Sequence, residues 1–377
     1  MAHPRIATGL YVPPNLPMSD IRVLTAIARL LRLDSLFVED HFQDFSPSPL
    51  WDLDFSWAAR RVSSPHALFE YQTLLGSLAA RAGRMQLGVS VTKPVGRHPV
   101  LIAQAALTLA HLTKRAPILG IGTGERMNIE PYGLPHADAV DRLAEALQII
   151  RRCFTSHGPI DFAGKHFRLE RAVMDLQPPP GRTPEIWVAA HGPRMLALTG
   201  RYGDGWAPAT GAVTSPEDYR SKLAQIHAAA KDAGRDPEAI TPALFAYIGV
   251  APTERKVVAL LNSRLLRYFA LLLPADRWRE VGMEHPFGAQ CRGAVDIVPE
   301  TYDRATLENA IAAVPPEVIR NGFLIGTPDQ VIARLQQFGD AGLRHVVLAP
   351  LSAAITVRDA VYAGWAVRRI ARSLRTG

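Results

Sequence analysis

Eight short runs of almost unbroken apolar residues, at 6–12, 35–38, 85–91, 118–122, 185–190, 205–208, 244–250 and 345–348, alternate along the chain with longer segments of helical period. Runs without polar alternation are expected of parallel strands covered on both faces. Eight strand-helix units predict an α/β fold closed into a (β/α)8 TIM barrel rather than an open doubly wound sheet. Between the runs, Leu101, Ala105 and Leu109 recur at i, i+4 and i+8, and Val140, Leu143, Ala144, Leu147 and Ile150 form a second helical stripe. Thr327-Pro328-Asp329-Gln330 reads as a capping box with proline in the first turn, and its helix is expected to stop at Gly342.

A single barrel domain over 1–377 is expected, carrying three insertions at about 44–65, 158–184 and 251–321. Barrels tolerate such insertions and often place them over the active site. The middle one is expected by its pattern to contain a hairpin, and it carries the run Pro178-Pro179-Pro180. Within the last, the apolar segment 260–273 reads as a packed or dimer-forming helix, with a lid as the alternative.

Hydrophobic residues make up 48% and charged residues 20% of the chain, which suits a globular protein with a sizeable core. The net charge of +7 is spread without the basic-aromatic stripe of a nucleic-acid binder, so an anionic small ligand fits better and no nucleic-acid partner is expected. Cys153 and Cys291 cannot build a disulfide framework, in keeping with a reducing cytoplasm. Arg264 and Arg267 interrupt the longest apolar run, at 257–273, so no membrane span is expected. The 12 histidines show no metal-ligand spacing, and no metal is expected. Arg368, Arg369, Arg372 and Arg375, near the end of the last helix, most simply complement its dipole and face solvent.

Barrel active sites are assembled just past the carboxyl ends of the strands, and four such places carry polar residues. The second strand runs into Glu39-Asp40-His41, where His41 is a candidate general acid or base; the alternative is a histidine hydrogen-bonded at a helix start. The third carries Ser90, either a core hydroxyl or a coenzyme contact at a bulge. The fourth opens into Gly120-Ile121-Gly122-Thr123-Gly124-Glu125, which lacks the last glycine of a dinucleotide fingerprint but makes a turn that lets backbone approach a planar ligand, with Glu125 at the pocket edge. The fifth gives His191-Gly192-Pro193-Arg194, a helix start suited to a phosphate, or an ordinary turn with Arg194 in water.

Val38-Glu39-Asp40-His41-Phe42, Leu87-Gly88-Val89-Ser90-Val91-Thr92, Ile121-Gly122-Thr123-Gly124-Glu125 and Glu185-Ile186-Trp187-Val188-Ala189-Ala190-His191-Gly192-Pro193-Arg194, in this order and spacing, resemble the luciferase-like monooxygenase superfamily. The similarity is strongest to the branch that uses the deazaflavin coenzyme F420, and within it to the mycobacterial phthiodiolone ketoreductases. Gly124-Glu125-Arg126, Glu130-Pro131-Tyr132-Gly133 and Glu284-His285-Pro286 extend the match over nearly the whole chain. The resemblance implies a coenzyme at the carboxyl end of a barrel, hydride exchange with a ketone, lipid metabolism with a phthiodiolone-type lipid as the nearest substrate class, and commonly a homodimer. It also implies that Asp40 touches the deazaflavin ring and His41 its reactive carbon. Ser90 and Val91 would meet at a non-proline cis bond, Thr123, Gly124, Glu125 and Asn128 would line the ring, and Ala190, His191 and Gly192 would flank the phosphate. His41 and Glu125 are then the proton-handling candidates. Phe45 stands where related sugar-phosphate dehydrogenases have tryptophan, and 209–213 lacks their phosphate-binding lysine, so glucose 6-phosphate is a poor substrate. The rivals are an FMN-dependent monooxygenase on the same barrel and a barrel that binds coenzyme or lipid without turnover.

Overall fold

The computed structural model describes residues 3–213 and 215–376. In chain order the strands are β1 (Ala7–Tyr11), β2 (Ser35–Val38), β3 (Gln86–Thr92), β4 (Ile118–Ile121), β5 (Pro159–Ala163), β6 (Arg168–Val173), β7 (Glu185–Val188), β8 (Gly205–Trp206), β9 (Thr241–Val250), β10 (Leu324–Gly326) and β11 (His345–Pro350). Eight of them pair in parallel in the order β1-β2-β3-β4-β7-β8-β9-β11, and β11 pairs back onto β1, closing the barrel. Every one of the eight apolar runs is a barrel strand. The short β10 adds in parallel to the end of β9, and β5 with β6 forms the antiparallel hairpin of the middle insertion.

Period-two alternation sorts the strand residues into two cores. Phe37, Ile118, Trp187, Phe245 and Val347 fill the barrel interior. Their neighbours Leu36, Val38, Leu119, Ile186 and Leu348 face outward and pack under the helices. Inside the barrel the ring of His345 is satisfied by the Ser35 hydroxyl at 2.8 Å. Beside the bulge in β3, a Cβ on Gly120 would lie 2.1 Å from the Val89 carbonyl oxygen, so only glycine fits there.

The capping box at Thr327 is present, opening the helix Pro328–Asp340, and Gly342 follows with φ +116°. The stripe Leu101, Ala105, Leu109 needs correction. It lies on a real helix, Pro99–Leu112, and Leu109 is on its buried face with Ile102, Ala106, Leu107 and Ala110, but Leu101 is 56% exposed and off that face. That helix is apolar almost all round, so spacing alone does not select its inner face.

The first and last insertions fold together into a third apolar cluster. Leu50 and Phe55 from the first pack with Leu266, Tyr268, Trp278 and Ile319 from the last. Each such side chain, fully buried, contributes ~1.5–3 kcal/mol. Segment 260–273 belongs to this packing as parts of two helices, Glu254–Leu261 and Arg264–Leu271, separated by Asn262 and Ser263, the latter's hydroxyl accepting from the Leu266 N–H. Polar clasps tie the insertions across their rim: Arg264 and Arg304 both reach Asp52, at 3.0 and 2.7 Å, and Glu300 meets His66 at 3.0 Å. Among the described residues no helix is long and apolar enough to cross a membrane.

Candidate active site

The alternation of β2 continues past its end and decides what the loop presents. Phe37 points into the barrel, so Glu39 and His41, two and four residues on, rise over the same interior, and Asp40 turns outward. The Asp40 carboxylate, 4% exposed, accepts hydrogen bonds from Thr92 Oγ1 at 2.6 Å and from Arg97 Nη1 at 2.7 and 2.6 Å. Its backbone carbonyl accepts from Lys93 Nζ at 2.9 Å. Asp40 therefore fixes the strand end from behind, with both carboxylate oxygens engaged.

His41 stands between two carboxylates. Nδ1 lies 3.3 Å from Glu39 Oε2 and Nε2 lies 3.5 Å from Glu125 Oε2, while the Phe45 ring meets the imidazole edge-on at 5.2 Å. Nδ1 and Glu39 Oε1 are buried without a hydrogen bond in spite of that proximity. Burial by itself would expel the proton, but Glu39 and Glu125 outweigh it and hold His41 as imidazolium, its pKa raised to about 10. Burial likewise opposes ionisation of Glu125, yet His41 and Lys93 pull its pKa down to about 2. Asp44, three residues beyond His41, is pushed up to about 6 by burial and by Glu39. The phenols of Tyr11 and Tyr247 are raised well above their ordinary value, first by burial and then by Glu39.

Glu125 reaches this position through a turn that requires glycine. Gly124 has φ +82°, and a Cβ there would lie 2.7 Å from Lys93 Cδ and 2.8 Å from Ile129 Cδ1. Thr123 is half-buried beside it. Ser90 and Val91 are half-buried and joined by a non-proline cis peptide bond, where the pairing of β3 with β4 slips register. A Cβ on Gly122 would approach Val91 Cγ2 to 3.2 Å, so the β3 bulge and the β4 turn sit against one another. Asn128 is fully buried and its Oδ1 accepts from the backbone N–H groups of Phe42 and Gln43 at 2.7 and 2.9 Å. It staples the loop after His41, its carbonyl spent on backbone.

After β7, Ala190 is buried and its carbonyl accepts from Trp206 Nε1 at 2.9 Å. His191 and Gly192 are exposed at the rim, and Gly192 caps the helix Pro193–Tyr202 with φ −95° and open space where a Cβ would stand. Arg194 is paired with Asp141 and exposed.

Glu39, Asp44, Lys93, Tyr11 and Tyr247 had no role in the sequence reading. Glu39 carried a usable signal, since it precedes His41 by two residues and period two puts both on one face. Lys93, buried at the end of an apolar strand, carried another. Tyr11 and Tyr247 reach the site only because β1 and β9 are brought round the barrel, and no local spacing reports that.

Residues 52–345 match the family model described as luciferase-like monooxygenase. The chain belongs to the luciferase-like monooxygenase family. Within this family it is 42% identical over 340 residues to the phthiodiolone/phenolphthiodiolone dimycocerosates ketoreductase of Mycobacterium tuberculosis, covering 89% of this chain and 88% of that one. It is 32% identical over 304 residues to the F420-dependent hydroxymycolic acid dehydrogenase of the same species, covering 78% of this chain and 73% of the relative. The solved structure of an F420-dependent secondary alcohol dehydrogenase in complex with an F420-acetone adduct shares the luciferase-like fold at a TM-score of 0.74 and 18% identity, covering 98% of this chain and 99% of that one.

Proposed function

We propose that the chain is a cytoplasmic F420-dependent oxidoreductase that reduces a ketone to a secondary alcohol, with phthiodiolone-type lipids as its substrate class. The carrying observation is His41, held as a buried imidazolium between Glu39 and Glu125 at the barrel mouth. The names of the two mycobacterial relatives supply the chemistry and the coenzyme. The residues present suit such a coenzyme: the Gly122–Gly124 turn and the Ser90-Val91 bulge leave backbone where a flat ring needs close approach, and the space over Gly192 faces a helix start that favours phosphate. Bound F420 supplies a hydride.

The chain's own work is proton handling and orientation. His41 donates its ring proton to the substrate oxygen, and Glu39 and Glu125 keep that proton on the ring until it is needed. Ser90, Val91, Thr123, Gly124 and Glu125 would hold the coenzyme's ring, and Ala190, His191 and Gly192 its phosphate. Asp40 and Asn128 act as positioning residues, because their polar atoms are committed to Thr92, Arg97 and the Phe42–Gln43 backbone. We assign a homodimer contact to the face of Tyr71–Ala82 and Pro99–Leu112, where Leu101 and Leu112 stand exposed beside Gly76. A solution mass of one chain by sedimentation would exclude that contact.

The titration that tests the reading compares oxidised F420 with FMN by absorbance or tryptophan quenching. F420 is expected to bind more tightly, and equal or tighter FMN binding would sink the assignment. Gly192→Asp is expected to weaken F420 binding by ~1–3 kcal/mol as a favourable anion contact turns repulsive. Its melting temperature should hold, because the added side chain enters open space and Asp is a favoured N-cap. Unchanged affinity in this folded variant would place the phosphate elsewhere.

A further inference from the structure

The helix Met18–Leu30 follows β1 and the helix Val357–Thr376 follows β11, so the two are consecutive around the barrel wall and both start at the end that carries His41. They touch at their far ends, where Arg375 Nη2 donates to the carbonyls of Leu31 and Arg32 at 3.3 and 2.8 Å. Each turns an apolar stripe to solvent. Val23, Ile27 and Leu30 recur at i, i+4 and i+7 on the first, and Val357, Val361 and Trp365 at i, i+4 and i+8 on the second. Leu30 is 81% exposed, Val361 73% and Trp365 48%. Exposed apolar residues are ordinary when scattered, but a line of three on each of two consecutive helices calls for an occupant.

The charge on the same helices identifies its chemistry. They hold seven arginines against two aspartates, a net +5 of the chain's +7. Arg22, Arg29, Arg358, Arg368 and Arg372 are exposed alongside the stripes, and Arg369 lies over the Trp365 ring at 5.6 Å. An apolar stripe with tryptophan, bordered by arginine, is how an interfacial helix engages an anionic lipid surface. A second copy of the chain suits the patch less well, since a two-fold contact would set the arginines of one copy against those of the other.

We propose that this two-helix face docks the protein onto an anionic lipid bilayer, lying on the surface without spanning it. Residues of the active site take no part in the contact, so the inference is independent of the coenzyme and ketone assigned above.

The test is co-sedimentation of the full chain with vesicles of phosphatidylglycerol and phosphatidylcholine, against vesicles of phosphatidylcholine alone. Binding is expected to the anionic vesicles only and to weaken as salt is raised. The double substitution Val361→Glu with Trp365→Glu is expected to weaken it at least about tenfold, with the fold retained and only a small loss in melting temperature from the contact of the half-exposed Trp365 with Tyr362. Arg368→Gln with Arg372→Gln should remove much of the salt-sensitive part. No sedimentation with anionic vesicles at low salt would overturn the proposal, as would equal binding by the Glu variant. A wild type that ignores vesicles and loses its dimer mass in the Glu variant would assign the face to a second copy.

Discussion

His41→Ala is expected to lower ketone turnover by the ~10²–10⁴-fold typical of a general acid, with coenzyme affinity nearly unchanged. In the proposed reaction the imidazolium is the proton source for the oxygen that gains negative charge, and the two carboxylates at 3.3 and 3.5 Å hold it in its charged form. A pH profile separates this role from a structural one. His41 keeps its proton up to about 10, so wild-type turnover should hold through neutrality and fall as pH rises through that value. Glu125→Gln removes one of the two carboxylates that favour the charged ring, which moves the alkaline fall to lower pH. Single-turnover oxidation of reduced F420 with saturating ketone reads the rate, and a melting curve for each variant reads the fold. Turnover within about threefold of wild type in a folded His41→Ala would reduce this residue to a structural histidine.

Asp40→Ala is expected to act on stability instead, costing ~1–3 kcal/mol as a buried carboxylate that accepts from Thr92 and a partly buried guanidinium is removed. Arg97, Thr92 and the end of β2 all depend on that carboxylate. Burial of Arg97 disfavours its charge, and Asp40 outweighs that burial; the guanidinium left behind would keep only Glu70, at 3.2 Å, and the Tyr71 ring as partners. Denaturant unfolding should show a lower midpoint at unchanged slope. An unchanged midpoint together with a large loss of F420 affinity would instead return Asp40 to the ring contact that the family resemblance implies.

These two neighbouring residues show how far the sequence alone carries. Strands covered on both faces must be apolar throughout, so all eight barrel strands are legible as runs, and the strand-end rule points to His41 and Glu125, which the fold brings within 3.5 Å of each other. The rule cannot say which way a side chain turns once a strand has ended. Asp40 and Asn128 lie in the right loops and spend their polar atoms on the scaffold. Glu39 needed only the period-two argument, whereas Tyr11 and Tyr247 needed closure of the barrel. The helix Pro99–Leu112 misleads because it is apolar on both faces, and β10 is too short, at three residues, to make a pattern. The two outer insertions read as irregular because their core is shared: Leu50 and Phe55 are satisfied by residues some two hundred positions away.

The proposed reaction is hydride delivery from reduced F420 to a ketone at the mouth bordered by His41 and Glu125. Its most direct test is anaerobic single-turnover mixing of the purified chain, loaded with reduced F420 carrying deuterium at its reactive carbon, with a phthiodiolone-type ketone. Oxidised-coenzyme absorbance is expected to return only when ketone is present, with deuterium on the carbinol carbon of one equivalent of alcohol. Tight coenzyme binding with no oxidation would contradict it and leave a binding barrel; turnover that needs FMN and oxygen would contradict it and leave a monooxygenase.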